Sequence, residues 1–176
     1  MKKKLGKLIV MVLAMTLMLA TMTVFASAKQ LKPKKTTFST DTATVNKVAK
    51  KVKKGTYTVK VPANAYCYLK FTAPKTKTYN VTVSAVKPLA GRSIGLGFFH
   101  LLTPSSYSNS YLSMADAKTQ GGSAASMLFG SRAVGSGDTK EKYLTKRYGK
   151  LNLKAGQTMY ICFSTASVNS LKCSIK

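Results

Sequence analysis

The sequence predicts an all-β fold: an antiparallel β-sandwich of jelly-roll type with about eight strands. From Thr56 onward, apolar and polar residues alternate with a period of two, which is typical of strands that bury one face. Turn-forming residues separate the alternating segments at a spacing that favours a sandwich over a barrel or an α/β fold. The residues before Thr56 lack this alternation.

The first 28 residues have the three parts of a secretory signal. A basic start, MKKKLGK, precedes a long apolar stretch and the small residues Ala26 and Ala28, so cleavage is expected after Ala28. A retained membrane anchor is the alternative, since the apolar stretch approaches the ~20 residues that span a bilayer. Cleavage leaves 148 of the 176 residues, a usual size for one domain. The protein is then expected to be secreted, without a transmembrane segment, and either free or retained on the cell wall.

The charge of the chain predicts its class of partner. The 29 basic and four acidic residues give a net charge of +25, and loss of four lysines with residues 1–28 lowers it to +21. Such a protein is attracted to polyanions. Outside a bacterial cell these are anionic wall polymers or polysaccharides, whereas secretion argues against nucleic acid as the native partner. A charge that serves only solubility is the alternative.

The segment before the strands divides in two. Residues 29–43 are predicted to form a flexible basic tail, because KQLKPKKTTFSTDTA carries no usable apolar period. Residues 44–176 are predicted to form the β-sandwich domain. Residues 44–54 fit a short basic amphipathic helix or a strand, because their β-branched apolar residues recur at helical spacing. These residues are Val45, Val48, Ala49 and Val52.

The alternation assigns the face of each strand. The inward residues of the first three strands are Tyr57, Val59 and Val61; Cys67, Leu69 and Phe71; and Tyr79, Val81, Val83 and Ala85. Pro74 ends the second strand, because proline cannot donate to a β-ladder. Further core strands are predicted in SIGLGFFHLL and ASMLFGSR. The inward residues of the closing hairpin and the final strand are Met159, Ile161 and Phe163, then Leu171, Cys173 and Ile175.

Two segments resemble a known family. FTAPKTKTYNVTV, preceded by AYCYLKF, resembles the F-T-A-P-x-T-G-T-Y core of bacterial pre-peptidase C-terminal domains from secreted Gram-positive proteins, and YGKLNLKAGQTMYICF resembles their closing pattern. The resemblance implies a β-sandwich of jelly-roll type that serves as a non-catalytic module of secreted enzymes or cell surfaces. Lys77 stands where the family usually has glycine, which implies a different turn. PANAYCY lacks the acidic residues that can serve calcium, so no calcium is expected.

The three cysteines are Cys67, Cys162 and Cys173. Strand phases place Cys67 and Cys173 on inward faces and Cys162 on the opposite face of its strand. A disulfide between Cys67 and Cys173 is the candidate pairing in a secreted chain. Buried free thiols are the alternative, since such a thiol behaves as a small apolar side chain.

Catalytic residues are scarce, so no enzyme activity, cofactor or metal is expected. Glycoside hydrolysis needs two close carboxylates, and the folded region offers only Asp116, Asp138 and Glu141. The single His100 lies in a predicted strand as a hydrogen-bonded core residue. With one histidine and no Cys-x-x-Cys spacing, the sequence carries no zinc motif.

A binding surface is the remaining prediction. The outward residues Tyr66, Tyr68 and Lys70, joined by Tyr107 and Tyr111 from a serine-rich segment, suggest an aromatic and basic platform for polysaccharide. Cross-strand pairing of the tyrosines is the structural alternative. The expected function is a secreted, non-catalytic binding or adhesion module at the bacterial surface. A protein–protein interaction module is the alternative, and a cationic antimicrobial protein comes third.

Overall fold

A computed structural model describes residues 28–119, 125–132 and 142–176. The predicted signal peptide lies outside the described residues, except for its last residue, Ala28. Asp138 and Glu141 also lie outside them. The described part contains helix α1 (Thr42–Val48), a 3₁₀ turn (Lys142–Thr145) and twelve strands. The strands are β1 (Lys29–Leu31), β2 (Lys50–Val52), β3 (Gly55–Lys60), β4 (Ala65–Thr72), β5 (Lys77–Pro88), β6 (Leu96–Pro104), β7 (Leu112–Met114), β8 (Lys118–Thr119), β9 (Ser126–Gly130), β10 (Lys146–Leu153), β11 (Thr158–Thr165) and β12 (Val168–Ile175).

The strands form two packed sheets, which confirms the predicted all-β sandwich. Sheet A has the order β1-β3-β12-β5-β10-β8, and sheet B has the order β2-β4-β11-β6-β7, with β9 also paired to β6. Eight strands have five or more residues, the number that the sequence predicts, and the other four are short strands at sheet edges. The pairs β1·β3 and β2·β4 are parallel, whereas the other pairs are antiparallel. No helix of the described residues is long and apolar enough to cross a membrane.

The main core lies between the inner faces of the two sheets. At its centre the ring centroids of Phe99, Phe129 and Phe163 lie 6.3 to 6.4 Å apart. The inward residues of the first two predicted strands, of β11 and of β12 all belong to this core. Val61 is one of them, although β3 ends at Lys60, the residue before it. Period-two alternation therefore predicted the buried face of these strands correctly.

Ala85 is the exception among the predicted inward residues. It is exposed, with a φ of 47°, and the next residue, Val86, is buried in its place. The pairing between β5 and β12 shifts register on either side of Ser170, opposite this part of β5. Such a β-bulge inserts an extra residue and reverses the alternation beyond it.

Most connections are corners, because consecutive strands lie in different sheets, apart from β6 and β7, which share sheet B. β4 ends at Thr72, before Pro74 as predicted, and the chain then crosses from sheet B to β5 in sheet A. The predicted closing hairpin is wrong, because β11 belongs to sheet B, whereas β10 before it and β12 after it belong to sheet A. Alternation specifies which face of a strand is buried. It does not show whether the next strand pairs with it in a hairpin or crosses to the other sheet at a corner.

The segment predicted to be a flexible tail, residues 29–43, is instead part of the sandwich. β1 pairs with β3 and buries Leu31. Thr36 then bridges Tyr66 at the edge of β4, and Asp41 bridges Tyr111 next to β7. The prediction failed because this segment is held by backbone hydrogen bonds and a few apolar anchors, which leave no periodic pattern.

Residues 36–52 form a strap over the outer face of sheet B. The strap leaves the edge of β4 at Thr36, crosses the sheet, continues through α1 and returns to the same edge as β2. Asp41 caps the helix, its Oδ1 accepting a hydrogen bond of 2.7 Å from the backbone amide of Thr44. Hydrogen bonding by the side chain of Thr44, and then by its backbone amide, lowers the pKa of Asp41. Residues 44–54 are therefore neither all helix nor all strand, since helix ends at Val48 and β2 follows.

A second, smaller core lies beneath the strap. Val45 of α1 is fully buried against outward residues of sheet B and its neighbours. These residues are Tyr68, Leu102, Leu112, Tyr160 and Cys162. The sheet is therefore buried on both faces where the strap crosses it.

Candidate functional site

The predicted tyrosine platform is wrong at its centre. Tyr68 has no exposed surface, because the strap lies over it. Its hydroxyl donates to the carbonyl of Ser39 and accepts from the amide of Ser39, both at 2.9 Å. Tyr68 thus fastens the strap to the sheet, and burial raises its pKa. Tyr66 stays partly exposed at the margin of the strap.

The two loop tyrosines do not join Tyr66. Tyr107 is 97% exposed, and Tyr111 lies beside Asp41 at the start of α1. Among the described residues, neither ring contacts Tyr66, whose ring instead lies 5.4 Å from that of Phe38. The five predicted site residues therefore do not form one surface.

Lys70 occupies a position with neutral partners. Its Nζ donates to Oδ1 of Asn46 at 2.7 Å and lies 5.7 Å from the ring centroid of Tyr160. The hydroxyl of Tyr160 donates to the same Asn46 oxygen at 2.8 Å. Since neither partner carries a negative charge, the ammonium group is positioned without being neutralised.

Lys70 lines a groove together with three other lysines. The groove forms where the strap returns to β4, and its volume is about 790 Å³. We call it the lysine groove; it is lined by Lys51, Val52, Lys53, Lys54, Lys70, Phe71, Thr72 and Pro74. Half of these residues are lysines, and none is acidic. The groove is therefore the best candidate for an anion site on the described part of the chain.

Strand pairing places two of these lysines side by side. Lys51 of β2 lies directly opposite Lys70 of β4 in the parallel register. Like charges opposite each other on neighbouring strands repel and destabilise the pair. An anion bound between the two ammonium groups would relieve this repulsion, so the pairing favours a negatively charged ligand.

The backbone that carries the other groove lysines is held in place. Val52 is buried between the exposed Lys51 and Lys53. The hydroxyl of Tyr57 donates to the carbonyl of Lys53 at 2.8 Å and accepts from its amide at 3.0 Å. The lysine side chains thus project from a backbone fixed by strand pairing, apolar burial and hydrogen bonds.

The acidic residues do not offset this charge within the described part of the chain. Asp41 caps α1, and Asp116 lies in another depression beside Lys118 and Lys150. No group of three histidine, cysteine or acidic residues among the described positions could hold a metal ion. The chemistry that the groove offers is therefore electrostatic binding of anions.

No family model and no curated protein matches this chain. The resemblance to pre-peptidase C-terminal domains therefore stays a prediction.

The predicted disulfide between Cys67 and Cys173 does not form in this structure. All three cysteines are free and buried, and burial raises their pKa values, that of Cys162 to about 12. Cys67 lies in sheet B and Cys173 in sheet A. Their strands are not neighbours, since β4 pairs with β2 and β11, whereas β12 pairs with β3 and β5. Both thiols do face the core, as the strand phases predicted.

His100 is not the hydrogen-bonded core residue that the sequence predicts. It lies on the outer face of β6, half-buried beside Phe98 and Phe38. Its Nδ1 is buried and has no hydrogen-bond partner within the described residues. Loss of hydration lowers the pKa of His100.

Proposed function

We propose that this protein is a secreted, non-catalytic module that binds anionic polymers of the cell wall or acidic polysaccharides through the lysine groove. The observation that supports this most is the convergence of Lys51, Lys53, Lys54 and Lys70 on one groove whose lining includes no acidic residue. The N-terminal sequence supports secretion, and the net charge, +25 for the whole chain and +21 without residues 1–28, favours the approach of any polyanion.

Binding in the groove would depend on charge and position together. Phosphate or carboxylate groups of a polymer would replace counterions around the lysines, so affinity would fall as salt rises. The Lys70 side chain is held in place by its hydrogen bond to Asn46, so less conformational entropy is lost there when an anion binds. The groove volume of about 790 Å³ suits a short charged segment of a polymer.

Removal of groove charge is expected to weaken polymer binding far more than removal of the same charge elsewhere. The test variant is Lys51→Gln/Lys53→Gln/Lys54→Gln. At low salt we expect its affinity for polyglycerol phosphate or polygalacturonate to fall roughly 10- to 100-fold, at about 1 kcal/mol or less per lysine. The affinity is measured by isothermal titration calorimetry, with salt varied.

A matched control separates the groove from the net charge. Lys146→Gln/Lys150→Gln/Lys172→Gln removes three exposed lysines from the outer face of sheet A. This control is expected to bind the polymer within about threefold of the unaltered protein, since it loses only long-range attraction. Equal losses in the two variants would contradict the proposal and favour a charge that serves only solubility or wall retention.

A further inference from the structure

A cluster of four rings lies where the strap leaves part of sheet B uncovered. The ring centroid of Phe38 lies 5.4 Å from that of Tyr66 and 6.2 Å from that of His100. The rings of Phe98 and His100 are nearly parallel, with centroids 6.5 Å apart. We call this cluster the aromatic ledge. Phe38 and Phe98 are 44% and 46% exposed, so the ledge presents two apolar rings to solvent.

The ledge is built on fixed backbone. Ser164 of β11 pairs with Tyr66 on one side and with Phe98 on the other, so these residues form one row across three strands. Phe38 lies between two anchors of the strap, the Thr36–Tyr66 bridge and the Ser39 backbone held by Tyr68. The rings therefore need little ordering before they contact a ligand.

A polar depression adjoins the ledge: its lining includes Tyr66 of the ledge and Ser164, which pairs with Tyr66 and Phe98. Its volume is about 540 Å³, and neutral hydroxyl and amide side chains predominate among its polar residues. It is lined by Lys35, Thr36, Thr37, Asn64, Ala65, Tyr66, Ser164, Thr165 and Ala166. Asn64 has a φ of 49° in the turn before β4, a left-handed conformation that asparagine tolerates better than most residues. Exposed rings thus lie beside a set of hydrogen-bonding groups.

We infer that the aromatic ledge and this depression form a second binding site, which takes a sugar ring of a polysaccharide. The C–H face of a sugar ring can stack on an aromatic ring, whose face is electronegative. The sugar hydroxyls around that face need hydrogen-bond partners, which Thr37, Asn64 and Ser164 can provide. An apolar peptide fits less well, because it would cover these polar groups without replacing their hydrogen bonds to water.

This site is separate from the lysine groove and differs from it in chemistry. The groove collects four lysines, whereas the depression beside the ledge has Lys35 alone. Binding at the ledge should therefore persist at salt concentrations that abolish binding in the groove. A neutral sugar can occupy the ledge site even if the groove binds no polymer.

The test is titration of the purified secreted protein with short oligosaccharides of glucose, mannose and N-acetylglucosamine at about 0.5 M salt, where simple charge attraction is screened. At least one is expected to bind. Phe38→Ala and Phe98→Ala are each expected to weaken that binding about tenfold, as when one stacking ring is lost. Tyr107→Ala is the matched control, since it removes an exposed ring that is not one of the four rings of the ledge, and its affinity should not change.

The outcomes for the two sites are distinguishable. Lys51→Gln/Lys53→Gln/Lys54→Gln should leave oligosaccharide binding at about 0.5 M salt unchanged, whatever it does to polyanion binding. The inference is overturned if none of the oligosaccharides binds at millimolar concentration, or if both phenylalanine variants bind as well as the Tyr107 control. It is also overturned if sedimentation shows a dimer that Phe98→Ala dissociates, since the ledge would then be a contact between two copies of the chain.

Discussion

Replacement of Val45 by aspartate is expected to detach the strap from sheet B and to destabilise the protein by about 3 kcal/mol or more. Val45 is fully buried in α1 against an apolar cluster that includes Tyr68, Tyr160 and Cys162. A carboxylate at this position would lose its hydration and find no cation within the cluster. Opening of the strap would restore the hydration, at the cost of exposing the second core.

Hydrogen exchange and urea unfolding measure this effect. Amides of residues 36–52 should exchange much faster in Val45→Asp, while those of β3 and β12 in sheet A keep their protection. Ala43→Asp is the matched control, because Ala43 is exposed in the first turn of α1 and an acid there interacts favourably with the helix dipole. Unchanged protection of residues 36–52 in Val45→Asp would contradict the assignment of a strap held by this side chain.

Truncation of Phe163 is the second large effect that we expect. Phe163 of β11 is fully buried and contacts both Phe99 and Phe129 at the centre of the main core. Phe163→Ala should lower the free energy of unfolding by about 3 to 5 kcal/mol, through lost burial and a residual cavity. For a domain of this size the midpoint of thermal unfolding should fall by roughly 10 °C.

Phe98→Ala is the control for this prediction. Phe98 lies on the neighbouring strand β6, but its side chain faces outward and is 46% exposed. Its removal should cost about 1 kcal/mol or less. If calorimetry showed equal losses for the two variants, the placement of Phe163 in a core between two sheets would be wrong.

Alternation predicted the faces of the strands because it reports burial directly. The phases of Cys67, Leu69 and Phe71 in β4, and of Leu171, Cys173 and Ile175 in β12, agree with the structure. The predicted inward position of Ala85 is wrong, because a bulge inserts a residue there and no local pattern reveals it. Alternation also could not specify which sheet a strand joins, so Cys67 and Cys173 are both inward but belong to different sheets.

The strap was harder to predict, because its contacts are distant in sequence. The helical spacing of Val45 and Val48 was the visible signal, but sequence alone does not show which surface an apolar stripe covers. Tyr68 and Tyr160 belong to strands whose outward faces were expected to meet water, and they meet the strap instead. Long-range packing decided this outcome, not local propensity.

The candidate site was predictable only in part. Lys70 was among the predicted binding residues, whereas Lys51, Lys53 and Lys54 fell in a segment whose structure the sequence left open. Their signal was the run KKVKK, in which one valine is buried and the lysines around it project outward. The parallel pairing of β2 with β4, which brings this run to Lys70, needed the fold.

Anion binding in the lysine groove can be measured at each lysine separately, by the protection from chemical modification that the bound polymer gives it. The protein is acetylated briefly with and without polyglycerol phosphate, and the modification of each lysine is measured by mass spectrometry. We expect Lys51, Lys53, Lys54 and Lys70 to be protected several-fold more strongly than Lys146, Lys150 and Lys172 on the outer face of sheet A. Equal protection of the two sets would contradict a shaped anion site and show that the polymer binds the protein only as a diffuse polycation.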